Sequence, residues 1–295
     1  MANLKEVRTR IESVNSTKQI TSAMKMVAAS KLRKAQNSIM ALRPYADKFS
    51  EILERIMSSC QLPTANGQQL ASNNILIIPL SSNKGLCGTF NANVIRETMN
   101  LIKDEYQDLF DNGKIDILCV GSKVEESLKF KKYPVIGNEN VLLDDITYDN
   151  AASFAERLMK DFDEKKYDKI VFVYNQFKNA ATQVLVKEQF LPIVGQQITD
   201  NRQQSESEVD YIYQPNKEEL LSVMIPKSLK LQVYKILLDS FASEQGARMI
   251  SMTQATDNAT ELLKELNISY NKARQSAITN ELVEIISGAN ALNNS

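Results

Sequence analysis

The chain has 295 residues, a formal net charge of −1 and 43% hydrophobic residues, enough to bury the core of one large domain or two ordinary ones and too apolar for wholesale disorder. It contains no His, which removes His triads, His metal sites and imidazole acid–base chemistry and makes catalysis a weaker prior. Its three cysteines, Cys60, Cys87 and Cys119, form no CxxC pair, which points to a reducing compartment without a structural metal. The start "MANLKEVRTRIESV" lacks the apolar core of a secretory signal, and no apolar run reaches the roughly 18 residues of a membrane span.

From Leu4 to about Met57 there is no Gly, and Pro44 is the one Pro, where a kink is expected. Spacings of three and four link Leu4, Val7, Ile11, Val14, Lys18, Thr21, Lys25, Ala28, Leu32, Ala35, Ile39, Leu42, Ala46, Phe49, Leu53 and Ile56. This is a sustained coiled-coil seam on a helix of about 80 Å, at about 1.5 Å per residue.

The middle alternates. "NNILIIPL" (73–80), "KIDILCVG" (114–121), "YPVIG" (133–137), "KIVFVYNQF" (169–177) and "TQVLVKEQF" (182–190) read as strands. Helical stretches are expected from the loop "SSNKGLCGTFN" to about Phe110, at "SKVEESLKF", and over 148–165. Such alternation predicts an α/β layer on a mostly parallel sheet. The polar stretch 196–210 reads as a loop. After Pro226 a continuous helix is expected to about Ala291, with a seam through Leu238, Phe241, Gln245, Arg248, Met252, Ala255, Ala259, Leu262, Leu266, Ser269 and Ala273. Gly246 lies inside it, at about 1 kcal/mol relative to Ala. The expected organisation is an N-terminal coiled-coil helix (1–58), a Rossmann-like α/β domain (73–215) and a C-terminal coiled-coil helix (216–295). The two long helices would pair antiparallel.

One stretch departs from its seam. At Lys18, Thr21 and Lys25 the seam is polar, while Ile20, Met24 and Val27 form a separate stripe one residue, about 100°, away. The stripe either belongs to a locally irregular coiled coil, with lysine stems lying along the seam, or faces something other than the partner helix. Residues 1–48 hold ten basic and three acidic side chains, on a chain that is close to neutral overall. That favours an acidic protein surface over nucleic acid, because no aromatic residue precedes Tyr45 to stack on bases.

"MKMVAASKLRKAQ" (24–36), "GLCG" (85–88) and "SYNKARQSAITNELVEIISGANAL" (269–292) together resemble the gamma subunit of F-type ATP synthase, and arrangement and length agree over essentially the whole chain. The resemblance implies a non-catalytic central rotor stalk, one copy per complex. Its coiled coil would sit inside a hexamer of α and β subunits, and its α/β domain beside the epsilon subunit and the membrane c-ring. The place implied is peripheral, on the cytoplasmic face of the bacterial inner membrane. Nucleotide reacts on β, so no cofactor, metal or catalytic residue is expected here. Implied partner contacts are Ile20, Met24, Lys25, Val27, Lys31 and Arg33 at the β C-terminal domains and Lys84 and Cys87 near the lower β loop. Higher on the shaft, Arg274 and Gln275 would meet a β loop, with Thr279 and Glu281 one to two turns on.

This sequence departs from the family's usual pattern in the order Lys18-Gln19, in Asn83-Lys84 before "GLCG" and Thr89 after it, and in Gln245-Gly246. The rival readings are an α/β nucleotide-binding enzyme with helical oligomerisation arms and a basic coiled-coil adaptor for nucleic acid. The "GLCG" loop fits neither GxxxxGK[ST] nor GxGxxG, which weighs against the first.

Overall fold

A computed structural model of the chain describes residues 4–59, 74–192 and 217–293. The loop expected at 196–210, Cys60, and the side chains of Leu53 and Ile56 lie outside the described residues. In chain order the elements are α1 (Leu4–Ser59), β1 (Ile75–Pro79), α2 (Phe90–Glu105), α3 (Gln107–Asp111), β2 (Ile115–Cys119), α4 (Ser122–Phe130), β3 (Val135–Asn138), a 3-10 turn (Asn140–Leu143), α5 (Tyr148–Asp163), β4 (Lys169–Phe177), β5 (Gln183–Leu191) and α6 (Lys217–Asn293). They fall into two units, one formed by residues 1–29 and 248–295 and the other by 30–247.

In the larger unit the sheet order is β3-β2-β1-β4-β5. The first three pairings are parallel, and β4 and β5 form an antiparallel hairpin. β1 is buried along its whole length because helices cover both faces of the sheet, which is why its sequence is apolar without alternation. Ile75 and Ile77 point to a core shared with Val94 and Leu101 of α2 and Val124 and Leu128 of α4. Leu76 and Ile78 point to the opposite core, with Phe154 and Leu158 of α5 and Leu229, Val233, Ile236 and Leu237 of α6. Thus α6 begins as one of the layers over the sheet. The helix expected to run to Phe110 breaks at Tyr106, whose φ of −132° leaves the helical region. Lys169 Nζ lies 5.4 Å from the centre of its ring.

In the same unit α1 and α6 are antiparallel, since Arg43 faces Asp239 while Ile52 packs against Leu220 and Leu221. α6 starts at Lys217, so Pro226 is inside the helix and does not begin it. Packing around Leu221 carries the helix past the one N–H that proline lacks. α1 likewise continues through Pro44. Leu32, Ala35 and Ile39 of the expected seam are buried.

In the smaller unit Val7, Thr21 and Ala28 of α1 are buried, as are Arg248, Met252, Ala259 and Leu266 of α6, all at expected seam positions. The long helices meet there through the hydroxyls of Thr21 and Thr256. From Ile278 to Ala289 every residue of α6 is exposed.

Candidate interaction surfaces

The polar seam stretch and its apolar neighbours separate in the structure. In the smaller unit Thr21 is buried and Lys18 and Lys25 are half-buried, so the polar residues do occupy the seam. Ile20 and Val27 are 60% and 57% exposed, and Met24 is half-buried between them. A helix that hides a threonine and shows an isoleucine inverts the usual preference, which marks the stripe as more than scattered surface apolarity. Met26, 65% exposed, lies about 120° round the helix from Ile20, outside the stripe, and was not among the residues singled out by spacing. In the larger unit Lys31 and Arg33 are exposed on α1.

Arg274, Gln275, Thr279 and Glu281 are all exposed on α6, and the Thr279 hydroxyl donates to the Gln275 carbonyl at 2.9 Å. Beside them stands an apolar set that periodicity within the seam did not flag: Ile278, Leu282, Val283, Ile285 and Ile286, each about half exposed or more. The signal was available in "ELVEII", whose four apolar residues cannot all face one partner helix.

The loop from Ser81 to Thr89 is built from its own side chains. The Ser82 N–H donates to Asn91 Oδ1 at 3.0 Å, and the Ser82 hydroxyl lies 2.6 Å from the Lys84 carbonyl. Asn91 Nδ2 donates to Cys87 Sγ at 3.2 Å. Asn83 accepts the Ser122 N–H and donates to the Asn140 carbonyl, tying the loop to the ends of β2 and β3. Cys87 is therefore buried and holds the loop from within, while Lys84 and Leu86 face outward. Leu86 has φ +64°, an unusual conformation for a bulky residue, and its side chain is 63% exposed. Next to the loop, Glu125 accepts from Lys129, Asn138 and Asn140, and these bonds, that of Lys129 first, hold its carboxyl below the ordinary range.

The carboxyl ends of β1 and β4 form the switch point at which open α/β sheets usually receive ligands. Here the Asn175 amide donates to the Phe90 carbonyl across that point, and both residues are buried. A groove of about 340 Å³ lies instead by the amino end of β4, lined by Leu101, Glu105, Tyr106, Lys169 and Lys187. Lys187 is paired there with Glu97 at 3.4 Å and Glu105 at 3.1 Å. Among the described residues no group of His, Cys, Asp or Glu has the makings of a metal site, and no helix is long and apolar enough to cross a membrane.

A sheet layered between helices in one unit, and long paired helices whose apolar residues face outward in the other, suit a subunit that works within a larger assembly. The sequence profile of a family described as ATP synthase matches residues 3–292. The ATP synthase gamma chain of Christiangramia forsetii is 51% identical, covering 99% of this chain and all of the relative. That of Flavobacterium johnsoniae is 49% identical with the same coverage. The chain belongs to the ATP synthase gamma-chain family. Among solved structures, the central stalk and c-ring of the Tetrahymena thermophila mitochondrial ATP synthase contains a chain 26% identical, at a TM-score of 0.56, matching 80% of this chain and 99% of that one. The Euglena gracilis mitochondrial ATP synthase rotor is similar in fold, at 22% identity and a TM-score of 0.63, over 93% of this chain and 98% of that one.

Proposed function

We propose that this chain is the central rotor stalk of an F-type ATP synthase. It carries rotation of a membrane c-ring to the β subunits of a hexamer of α and β, and performs no catalysis itself. The observation that carries the reading is the inverted helix of the smaller unit, with Thr21 buried and Ile20 and Val27 exposed. A shaft turning past three copies of one subunit needs an outward apolar stripe that its own partner helix does not consume. Ile20, Met24, Lys25, Val27, Lys31 and Arg33 meet the β C-terminal domains. Lys84 approaches the lower β loop, with Cys87 supporting its loop from inside. Arg274, Gln275, Thr279 and Glu281 meet β higher up.

Such contacts are exposed and shallow, each worth about 0–1 kcal/mol for an ion pair, so no single one stalls the turn. The shaft biases each β subunit only by the difference in contact energy between orientations, which the asymmetry of its surface supplies. The α/β unit sits beside epsilon and the c-ring, one copy per complex, peripheral on the cytoplasmic face of the bacterial inner membrane.

The test is affinity capture of the full chain from gently solubilised native membranes, with mass spectrometry and an ATPase assay. Recovery of α, β, epsilon and c subunits with activity is the expected result. Capture of nucleic acid, or of the chain alone, would overturn the reading.

A further inference from the structure

The middle of α6 is enclosed on all sides. From Ile236 to Gly246 ten of eleven successive residues are buried and Phe241 is half-buried. At about 100° per residue that run covers every direction around the helix, so neighbours surround it. The sheet core takes Ile236 and Leu237, and Arg43 of α1 faces Asp239. The row Ser240, Ser243, Gly246 is made of small residues, and Ser243 Oγ is buried without a hydrogen-bond partner, so close approach prevails over polar satisfaction here.

What approaches Gly246 is the tip of the β4–β5 hairpin. A Cβ at residue 246 would lie 3.1 Å from the Ala180 carbonyl oxygen and 3.3 Å from its Cα. The tip braces itself. Asn179 Oδ1 accepts the N–H groups of Ala181 at 2.9 Å and Thr182 at 2.6 Å, and the Asn179 N–H donates to the Thr182 carbonyl. Gln183 Nε2 donates at 3.1 Å to the Ala180 carbonyl, the same oxygen that Gly246 faces. That oxygen is held from behind, so a Cβ at 246 requires the tip to give by a few tenths of an ångström, and a larger side chain requires more. The strands behind it are paired from Ile170–Leu191 out to Phe177–Gln183, which makes the hairpin a stiff arm from the sheet. Contact of backbone on backbone leaves no rotatable side chain to yield. It falls next to Ala247, the last residue of the larger unit, beyond which α6 continues as part of the other.

We propose that the hairpin tip seated on Gly246 grips α6 and holds it in rotational register with the sheet, making Ala180, Gln183 and Gly246 positioning residues for passing torque from the α/β unit into the helix pair. The proposal rests on the rotor reading above. It also gives a reason for a glycine in the interior of a long helix, where local propensity disfavours one.

The test uses the assembled complex, with its hexamer fixed to a surface and a bead on the α/β unit, and reads the angular variance of the bead in the stalled state. Variance is inverse to torsional stiffness, so loosening the grip in Gly246→Val should raise it about twofold or more, and Gln183→Ala by less in the same direction. Shortening the tip, with Asn-Gly in place of Asn179–Thr182 and Gly246 native, removes the grip without a clash and should match Gly246→Val. It also supplies the reading if Gly246→Val fails to assemble. Unchanged variance in the shortened-tip complex overturns the grip. A native complex whose bead does not turn with ATP refutes the rotor reading instead, so the two failures are distinguishable.

Discussion

Thr21 and Thr256, 235 residues apart in sequence, place their hydroxyl oxygens 2.9 Å from each other across the two long helices. Each is also close to a carbonyl of its own helix, Lys18 at 3.0 Å and Met252 at 2.7 Å. Two hydroxyl hydrogens serve these three contacts, so one hydroxyl donates across and the other donates at home. The pair makes a polar seam position tolerable, because neither group is buried without a partner.

A double-mutant cycle measures that link. Thr21→Val and Thr256→Val should each destabilise the full chain by about 1 kcal/mol, and the double variant should lose less than their sum by about 0.5–1 kcal/mol. Denaturant unfolding reads both quantities. Strict additivity would show that the two hydroxyls do not depend on each other.

Arg274→Ala combined with Gln275→Ala should weaken coupled ATP synthesis or assembly, since both side chains stand exposed beside the apolar end of α6. Nucleotide affinity at β should not change. Normal coupled synthesis in the double variant would remove the pair from the contact set.

Asp239 is 5% exposed, and burial pushes its carboxyl up to about 6, with Glu188 adding to the rise and Lys235 and Arg43 opposing it. A carboxyl raised in the folded state contributes stability that is fully present below its unfolded value near 3.8 and is lost as pH rises through 6. Asp239→Asn, which cannot ionise, should therefore gain on the native chain between pH 4 and pH 7.5, by on the order of 3 kcal/mol at most. Parallel stability curves for the two proteins would show that Asp239 does not titrate in this way.

Gly121 has φ +109°, and a Cβ there would fall 2.4 Å from the Ser81 carbonyl oxygen. It precedes α4, whose Val124 N–H is accepted by the Ser81 hydroxyl at 3.0 Å. Gly121→Ala combines backbone strain with a collision against main chain and should destabilise by about 2–4 kcal/mol. Thermal unfolding of the full chain checks it, and a loss under about 0.5 kcal/mol would show that the β1 and β2 ends shift apart easily.

Cys119 is buried at the end of β2, and burial, with Glu125 beside it, raises its thiol to about 12. The thiolate is the reactive form. Labelling with a maleimide at pH 7.5 should thus be at least about 100-fold slower for Cys119 in the native chain than in urea, as read by peptide mass spectrometry. Equal rates would mean that this strand end opens readily.

The helical ends, their seams and the five strands were legible in the sequence because each rests on a local period: 3.6 residues for the helices, and short apolar runs for strands buried on both faces. The stripe of Ile20, Met24 and Val27 was legible for the same reason, as a second phase on one helix. Local pattern identifies an apolar face without saying what covers it. The tertiary structure alone decided that Thr21 would find Thr256 and that α6 would begin before Pro226. It alone placed the Ala180 carbonyl against Gly246, which turns a costly helix residue into the one that fits. Those outcomes depend on contacts between residues tens to hundreds of positions apart, and such contacts exist only once the sheet and the two long helices have been brought together.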